Sequence, residues 1–134
     1  MTTPRLDDWQ SRLGALIEQR RNAPFAWGAH DCCSFAADCV QACTGVDPIA
    51  GERGYEDAQE GGRRLAKFGG VAGVASALFG APIDPLLARV GDIGLADIGG
   101  RRSLVVCNGT TWLGPGERGM VALAFESATH AWRA

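Results

Sequence analysis

The rhythm of the chain changes at Gly91, and that change limits its fold more than any other feature. Before Gly91, apolar residues recur every three or four positions, as on one face of a helix. After it they come in short β-like runs parted by glycines. Residues 5–21 predict a helix: Leu6, Trp9, Leu13, Leu16 and Ile17 keep helical spacing, and Arg12, Glu18, Gln19 and Arg20 take the other face. Asn22-Ala23-Pro24 stops it. A second helix is expected over 31–44, with Asp31 as its N-cap and Gly45 as its stop. Residues 54–68 read as a polar third helix, 71–79 as a short apolar one, and Leu86-Leu87-Ala88 as a helical turn. Strands are expected over 92–96, 103–107, 110–113 and 120–125. Gly99-Gly100, Asn108-Gly109 and Gly114-Pro115-Gly116 separate them, and Asn108-Gly109 is a hairpin signal. Residues 126–134 read as a tail pinned to the body by Trp132. Helices first and antiparallel strands after make an α+β layout.

A chain of 134 residues has room for one domain, here 1–134. Its net charge of −2, with both signs mixed along the sequence, gives no basic stripe for nucleic acid. The apolar runs around Val71 and Leu86 are broken by Gly, Pro and charge, so no membrane span is expected. The first eight residues carry no secretory pattern, which points to a cytoplasmic origin. Five cysteines, at 32, 33, 39, 43 and 107, are an odd number with four crowded into twelve residues. That is a poor disulfide framework and reads as reduced thiols.

The segment with the most chemistry is Asp31-Cys32-Cys33. A thiol becomes a nucleophile as its thiolate, and helix N-terminal amides with a basic partner can lower its pKa from roughly 8.5 to roughly 3.5–7.5. Cys32 stands one residue past the expected cap. The Trp27-Gly28 turn before it would let a substrate backbone approach, and cysteine-dependent acyl transfer needs such a thiolate, nearby amides and a base. Against this stands the tendency of cysteine to serve as a small buried hydrophobe, the role expected of Cys39, Cys43 and Cys107. A metal site is not expected: Cys32 to Cys43 spans about 16 Å of helix at about 1.5 Å per residue, too far for one ion. No cofactor is expected either. Of the two histidines, His30 either assists Cys32 or fixes the turn by bonding its backbone, and His130 reads as a rim residue. Asp92 is expected to hold the loop before the first strand, and Asp38 to face solvent. Trp9, Phe25, Trp27 and Phe35 are expected to cluster around the helix pair, with Trp112 and Trp132 at the sheet. An exposed Trp112 would be a partner contact, and Arg101-Arg102 reads as a solvated hairpin tip.

Residues 25–35, Phe-Ala-Trp-Gly-Ala-His-Asp-Cys-Cys-Ser-Phe, resemble the nucleophile segment of NlpC/P60 cysteine peptidases, and Gly91-Asp92-Ile93 resembles the Gly-Asp-Leu that opens their first strand. More closely, the whole chain resembles a family of small phage and prophage proteins of that type, DUF6950. The shared features are the Trp-Gly-x-His-Asp-Cys run, Thr44-Gly45-Val46-Asp47-Pro48, Arg53-Gly54-Tyr55, Gly91-Asp92 and the terminal Ala131-Trp132-Arg133. The resemblance implies an NlpC/P60-like (papain-like) fold, with N-terminal helices packed on a small antiparallel sheet. It also implies synthesis in the bacterial host cytoplasm and a place at the virion tail tip. Its partners there would be other tail-tip and baseplate hub proteins, and peptidoglycan. Cys32 would be the nucleophile, with Asp31, Trp27 and Gly28 supporting the cap and the oxyanion. The sequence departs from the pattern at Ser103, which occupies the place of the catalytic histidine. Neither Ser103 nor the preceding Arg101-Arg102 is a general base near neutral pH. Two functions follow as expectations. One is an assembly protein on a peptidase-like frame whose catalytic site has degenerated. The other is an active thiol hydrolase of peptidoglycan stem peptides, with Cys32 as nucleophile and His30 or His130 as an unusual base.

Overall fold

Local signals set where the helices start in the computed structural model, which describes residues 3–134. Helix α1 spans Trp9–Arg20 and buries Leu13. It begins later than its periodicity suggests, because residues 5–8 are held by other parts of the chain: the Leu6 N–H donates to the Cys43 carbonyl and the Arg5 guanidinium to the carbonyls of Val90 and Ala134. Helix α2, Cys32–Thr44, is capped by the Asp31 carboxylate and ends at Gly45 in the left-handed conformation, as its sequence predicts. Helix α3, Ala58–Ala66, starts at its own cap, Asp57, rather than at residue 54. It carries Gly61-Gly62 inside because the Tyr55 ring packs about where a Gly61 side chain would stand, 3.2 Å from an added Cβ. Helix α4 is Val71–Phe79, and a short 3-10 turn follows at Pro85–Leu87.

From Ile93 the chain forms five antiparallel strands: β1 Ile93–Ile98, β2 Arg101–Cys107, β3 Thr111–Gly116, β4 Gly119–Ala124 and β5 His130–Trp132, in the order β4-β3-β2-β1-β5. The architecture is therefore α+β, with four α-helices and one antiparallel sheet among the described residues. Two segments differ from expectation. Gly114-Pro115-Gly116 belongs to β3, and the turn falls at Glu117-Arg118. Proline is tolerated there because β3 pairs with β2 only at Leu113 and Trp112, so Pro115 faces no β2 partner. The tail adds strand β5 beside β1, with Ile93 opposite Trp132, a pairing too short to show as alternation.

The sheet separates two apolar layers. Leu13, Phe35, Cys39, Val40, Cys43 and Ala75 from the helices meet Ile93, Leu95, Leu104, Val106 and Trp132 on one face. Val105, Cys107, Trp112 and Ala131 fill the other. Cys39, Cys43 and Cys107 are core residues, as expected of small hydrophobes. Trp112 is fully buried, not exposed: its Nε1–H donates to the Phe125 carbonyl, and Gly94 leaves room for its ring. Among the described residues, no helix is long and apolar enough to cross a membrane.

Candidate functional site

Asp31 organises the start of α2. Its Oδ1 accepts from the Ser34 N–H at 2.8 Å, and its Oδ2 accepts from the Gly28 N–H at 2.8 Å and from the Tyr55 hydroxyl. One buried carboxylate thus gathers the 25–30 turn, the first turn of α2 and the segment before α3. Gly28 has φ +77°, and a Cβ there would lie 1.9 Å from the Tyr55 carbonyl oxygen. The space the sequence offers at Gly28 is taken by the protein's own backbone rather than left for a substrate. Its amide is spent on Asp31, so it is not free to hold an oxyanion.

Cys32 and Cys33 occupy the first two positions of α2, both half-buried, with their sulfurs 3.9 Å apart. The Cys32 thiol is lowered, chiefly by the Cys33 thiol donating to it, with help from the backbone amides of Leu104 and Cys33. Burial and the Asp31 charge oppose this. Cys33 is pushed up by the same pairing and by burial. Cys32 is therefore the thiol that ionises first.

Both thiols line a cleft of about 210 Å³. Its lining includes the apolar side chains of Leu65, Phe68, Val71, Val74 and Leu78 and, from other segments of the chain, Phe25, Trp27 and Arg101. Trp27 meets Phe25 edge to face at 4.8 Å, and the Arg101 guanidinium lies 5.0 Å and 5.1 Å from the Trp27 and Phe25 ring centres. Arg101 is thus a stacked cation at the cleft, not a free hairpin tip. The four aromatics expected around the helix pair divide accordingly. Trp9 and Phe35 pack in the helix-side core, and Phe25 and Trp27 pack on each other at the cleft.

Ser103 forms part of the cleft wall, but its hydroxyl donates to the Arg101 carbonyl at 3.0 Å. Its cross-strand partner, Ala96, belongs to the sheet face turned away from the helices. His30 is not among the cleft residues. It is buried, edge-on to Phe35, with Nδ1 3.1 Å from the Arg20 guanidinium. Arginine only donates, so Nδ1 accepts and the proton of the neutral ring sits on Nε2. That nitrogen is buried without a partner among the described residues. So placed, the imidazole has no free lone pair with which to take a proton, and its anchor is Arg20 rather than the turn backbone. Burial, and then the Arg20 charge, hold its pKa below the ordinary value. His130 is exposed on β5, opposite Leu95 and outside the cleft, with Nδ1 2.9 Å from the Thr129 hydroxyl.

Sequence reasoning missed Tyr55, misplaced Asp38 and saw only part of what Asp92 does. Tyr55 reaches Asp31 from 24 residues away. Asp38 does not face solvent as expected: it bridges Arg20 and Arg53 at 2.7 Å each, and Arg53 continues to Asp47 at 2.7 Å, tying α1, α2 and the following loop together. Asp92 is fully buried and does more than hold its own loop. It accepts from the Arg89 and Ala134 amides and pairs with Arg133 at 2.8 Å. The recurrence of Arg and Asp was visible in the sequence, but not which would meet. Among the described residues no group of three or more His, Cys, Asp or Glu is placed to hold a metal ion.

The model of a family described as a domain of unknown function, DUF6950, matches residues 4–134. No curated protein matches the chain.

Proposed function

Starting from a chain that belongs to the DUF6950 family, we propose a tail-tip component of a long-tailed phage or prophage, built on an NlpC/P60-like (papain-like) frame and acting in assembly rather than catalysis. In this reading the protein is made in the host cytoplasm, joins baseplate hub proteins, and travels in the virion. Its frame is supported by the order of elements: a cysteine at the first position of a capped helix, then a Gly-Asp pair opening an antiparallel sheet. The observation that carries the assembly reading is a thiol-lined cleft with no imidazole at it. Ser103 stands in the wall, His30 spends its lone pair on Arg20, and His130 lies on β5. Amide hydrolysis needs a group that gives a proton to the leaving amine, and none of these three is placed to do so.

A second reading, an active peptidoglycan hydrolase, is favoured by one observation: Cys32 stands at the first position of a capped helix and lines the cleft. Both readings meet in a phage deleted for this protein and supplied with the wild-type chain or Cys32→Ala. The assembly reading expects both to restore infectious particles, the chain to be found in purified virions, and neither protein to cleave peptidoglycan stem peptides. Cleavage by the wild type together with loss of infectivity in Cys32→Ala would establish the hydrolase instead. Particles that form and infect normally without the chain would end the assembly reading.

A further inference from the structure

We propose that the cleft beside Cys32 binds an acyl chain carrying an anionic head group, the chain among the α3–α4 side chains and the head on Arg101. This goes beyond the assembly reading and does not depend on it. The volume, about 210 Å³, exceeds the roughly 150 Å³ that admits a benzene molecule in an engineered apolar cavity. Leu65, Phe68, Val71, Val74 and Leu78 give that space an almost wholly apolar wall. A peptide segment laid among those five side chains would bury amide groups that they cannot bond. An alkyl chain brings no such groups. Phe68 is 39 % exposed at the cleft, apolar surface that an occupant would cover.

The charge at the cleft decides the head group. Arg102 is paired with Asp97, and Arg64 with Glu60 and Glu52. Arg101 has no carboxylate within ion-pair distance among the described residues. Its guanidinium rests instead against the Phe25 and Trp27 rings, within about 5 Å of each centre. The rings restrict the rotamers of the cation and leave its N–H edges for an incoming anion, where charge-assisted bonds are strong. Cys32 lies in the same cleft and reports on its occupancy.

The test uses the full-length protein and decanoate below its micelle-forming concentration. Binding is measured by calorimetry and by protection of Cys32 from iodoacetamide, mapped by peptide mass. Decanoate is expected to bind one to one and to slow Cys32 labelling at least tenfold at saturation. Decyl phosphate should behave similarly, its ratio to decanoate showing which head is preferred. Decanol should bind at least tenfold more weakly, and Arg101→Gln should reduce decanoate to the level of decanol while Arg101→Lys keeps part of the difference. Arg101 is exposed, so these variants do not threaten folding, which circular dichroism checks. The proposal is overturned if decanoate neither binds nor protects, if decanol equals it, if Arg101→Gln leaves its affinity unchanged, or if an apolar tripeptide carboxylate binds more tightly.

Discussion

Asp31 pulls two properties of the site in opposite directions. Its carboxylate stabilises the fold by accepting from Gly28, Ser34 and Tyr55, and its charge disfavours the nearby Cys32 thiolate. Asp31→Asn keeps an acceptor but loses the charge and turns one oxygen into a donor facing donors. Stability is expected to fall by about 1–3 kcal/mol, in the range for a lost cap and an unsatisfied buried donor. At the same time the pH midpoint of Cys32 alkylation in the folded protein should move down. Chemical denaturation and pH-resolved labelling read the two effects separately, and a midpoint that moves up would refute the charge argument. His30 gives a second residue-scale expectation. Its pKa is lower in the folded chain than the ordinary 6.5, so the unfolded state binds its proton first as pH falls. The stabilisation is complete above pH 6.5 and is lost as pH drops toward the folded value. Urea midpoints of the wild type should fall between pH 7.5 and 5.5 more steeply than those of His30→Phe, whose ring cannot charge.

At the scale of elements, the meeting of the 25–30 turn with the segment before α3 shapes the cleft. Gly28 is required there twice, by its positive φ and by the Tyr55 carbonyl pressed against it. Gly54, one residue before Tyr55, also has a positive φ (+98°) but open space around it. Gly54→Ala is therefore expected to cost about 1 kcal/mol from conformation alone. Gly28→Ala should cost at least about 2 kcal/mol and push Tyr55 off Asp31, leaving Cys32 more reactive because its cleft has opened. Equal losses in the two variants, measured by denaturation, would show that contact with Tyr55 contributes nothing. This contrast also marks how much the sequence disclosed. The start and end of α2 were legible because Asp31 and Gly45 act on neighbours within four residues. The Tyr55–Asp31 bond, the Arg20–Asp38–Arg53 bridge and the Gly28 packing join residues 15 to 27 apart, and nothing local in the chain records such pairings. Strand β5 was hidden for the same reason: its three residues are ordered by β1, not by a pattern of their own. That position 103 holds a serine and no imidazole was legible, but the stacking of Arg101 was not, because it depends on where two distant rings come to lie.

Over the whole molecule, both ends of the chain converge on Asp92. Its carboxylate is fully buried, paired with Arg133 at 2.8 Å and 3.5 Å from Arg5, and bonded by the Ala134 amide. Arg5 also holds the Ala134 carbonyl, so the segment before α1, strand β5 and the entry to β1 form one closed loop of contacts. Asp92→Ala removes at once the partner of Arg5 and Arg133 and the acceptor of the Arg89 and Ala134 amides, and is expected to cost about 3–5 kcal/mol. Arg133→Ala should cost less, because the buried Asp92 carboxylate then keeps Arg5 and both backbone amides. The loss should also be uneven in space. Strand β5 would detach first, exposing the edge of β1 and making the variant prone to edge-to-edge association. Helix α2 and the Cys32 cleft, held by Asp31 and the Arg20–Asp38–Arg53 bridge, should keep their structure longer. Amide exchange on Asp92→Ala is thus expected to show protection lost in β5 and around Leu6 while α2 stays protected. Simultaneous loss in α2 and β5 would mean that the two ends and the cleft open as one unit, and that Asp92 supports the site as well as the termini.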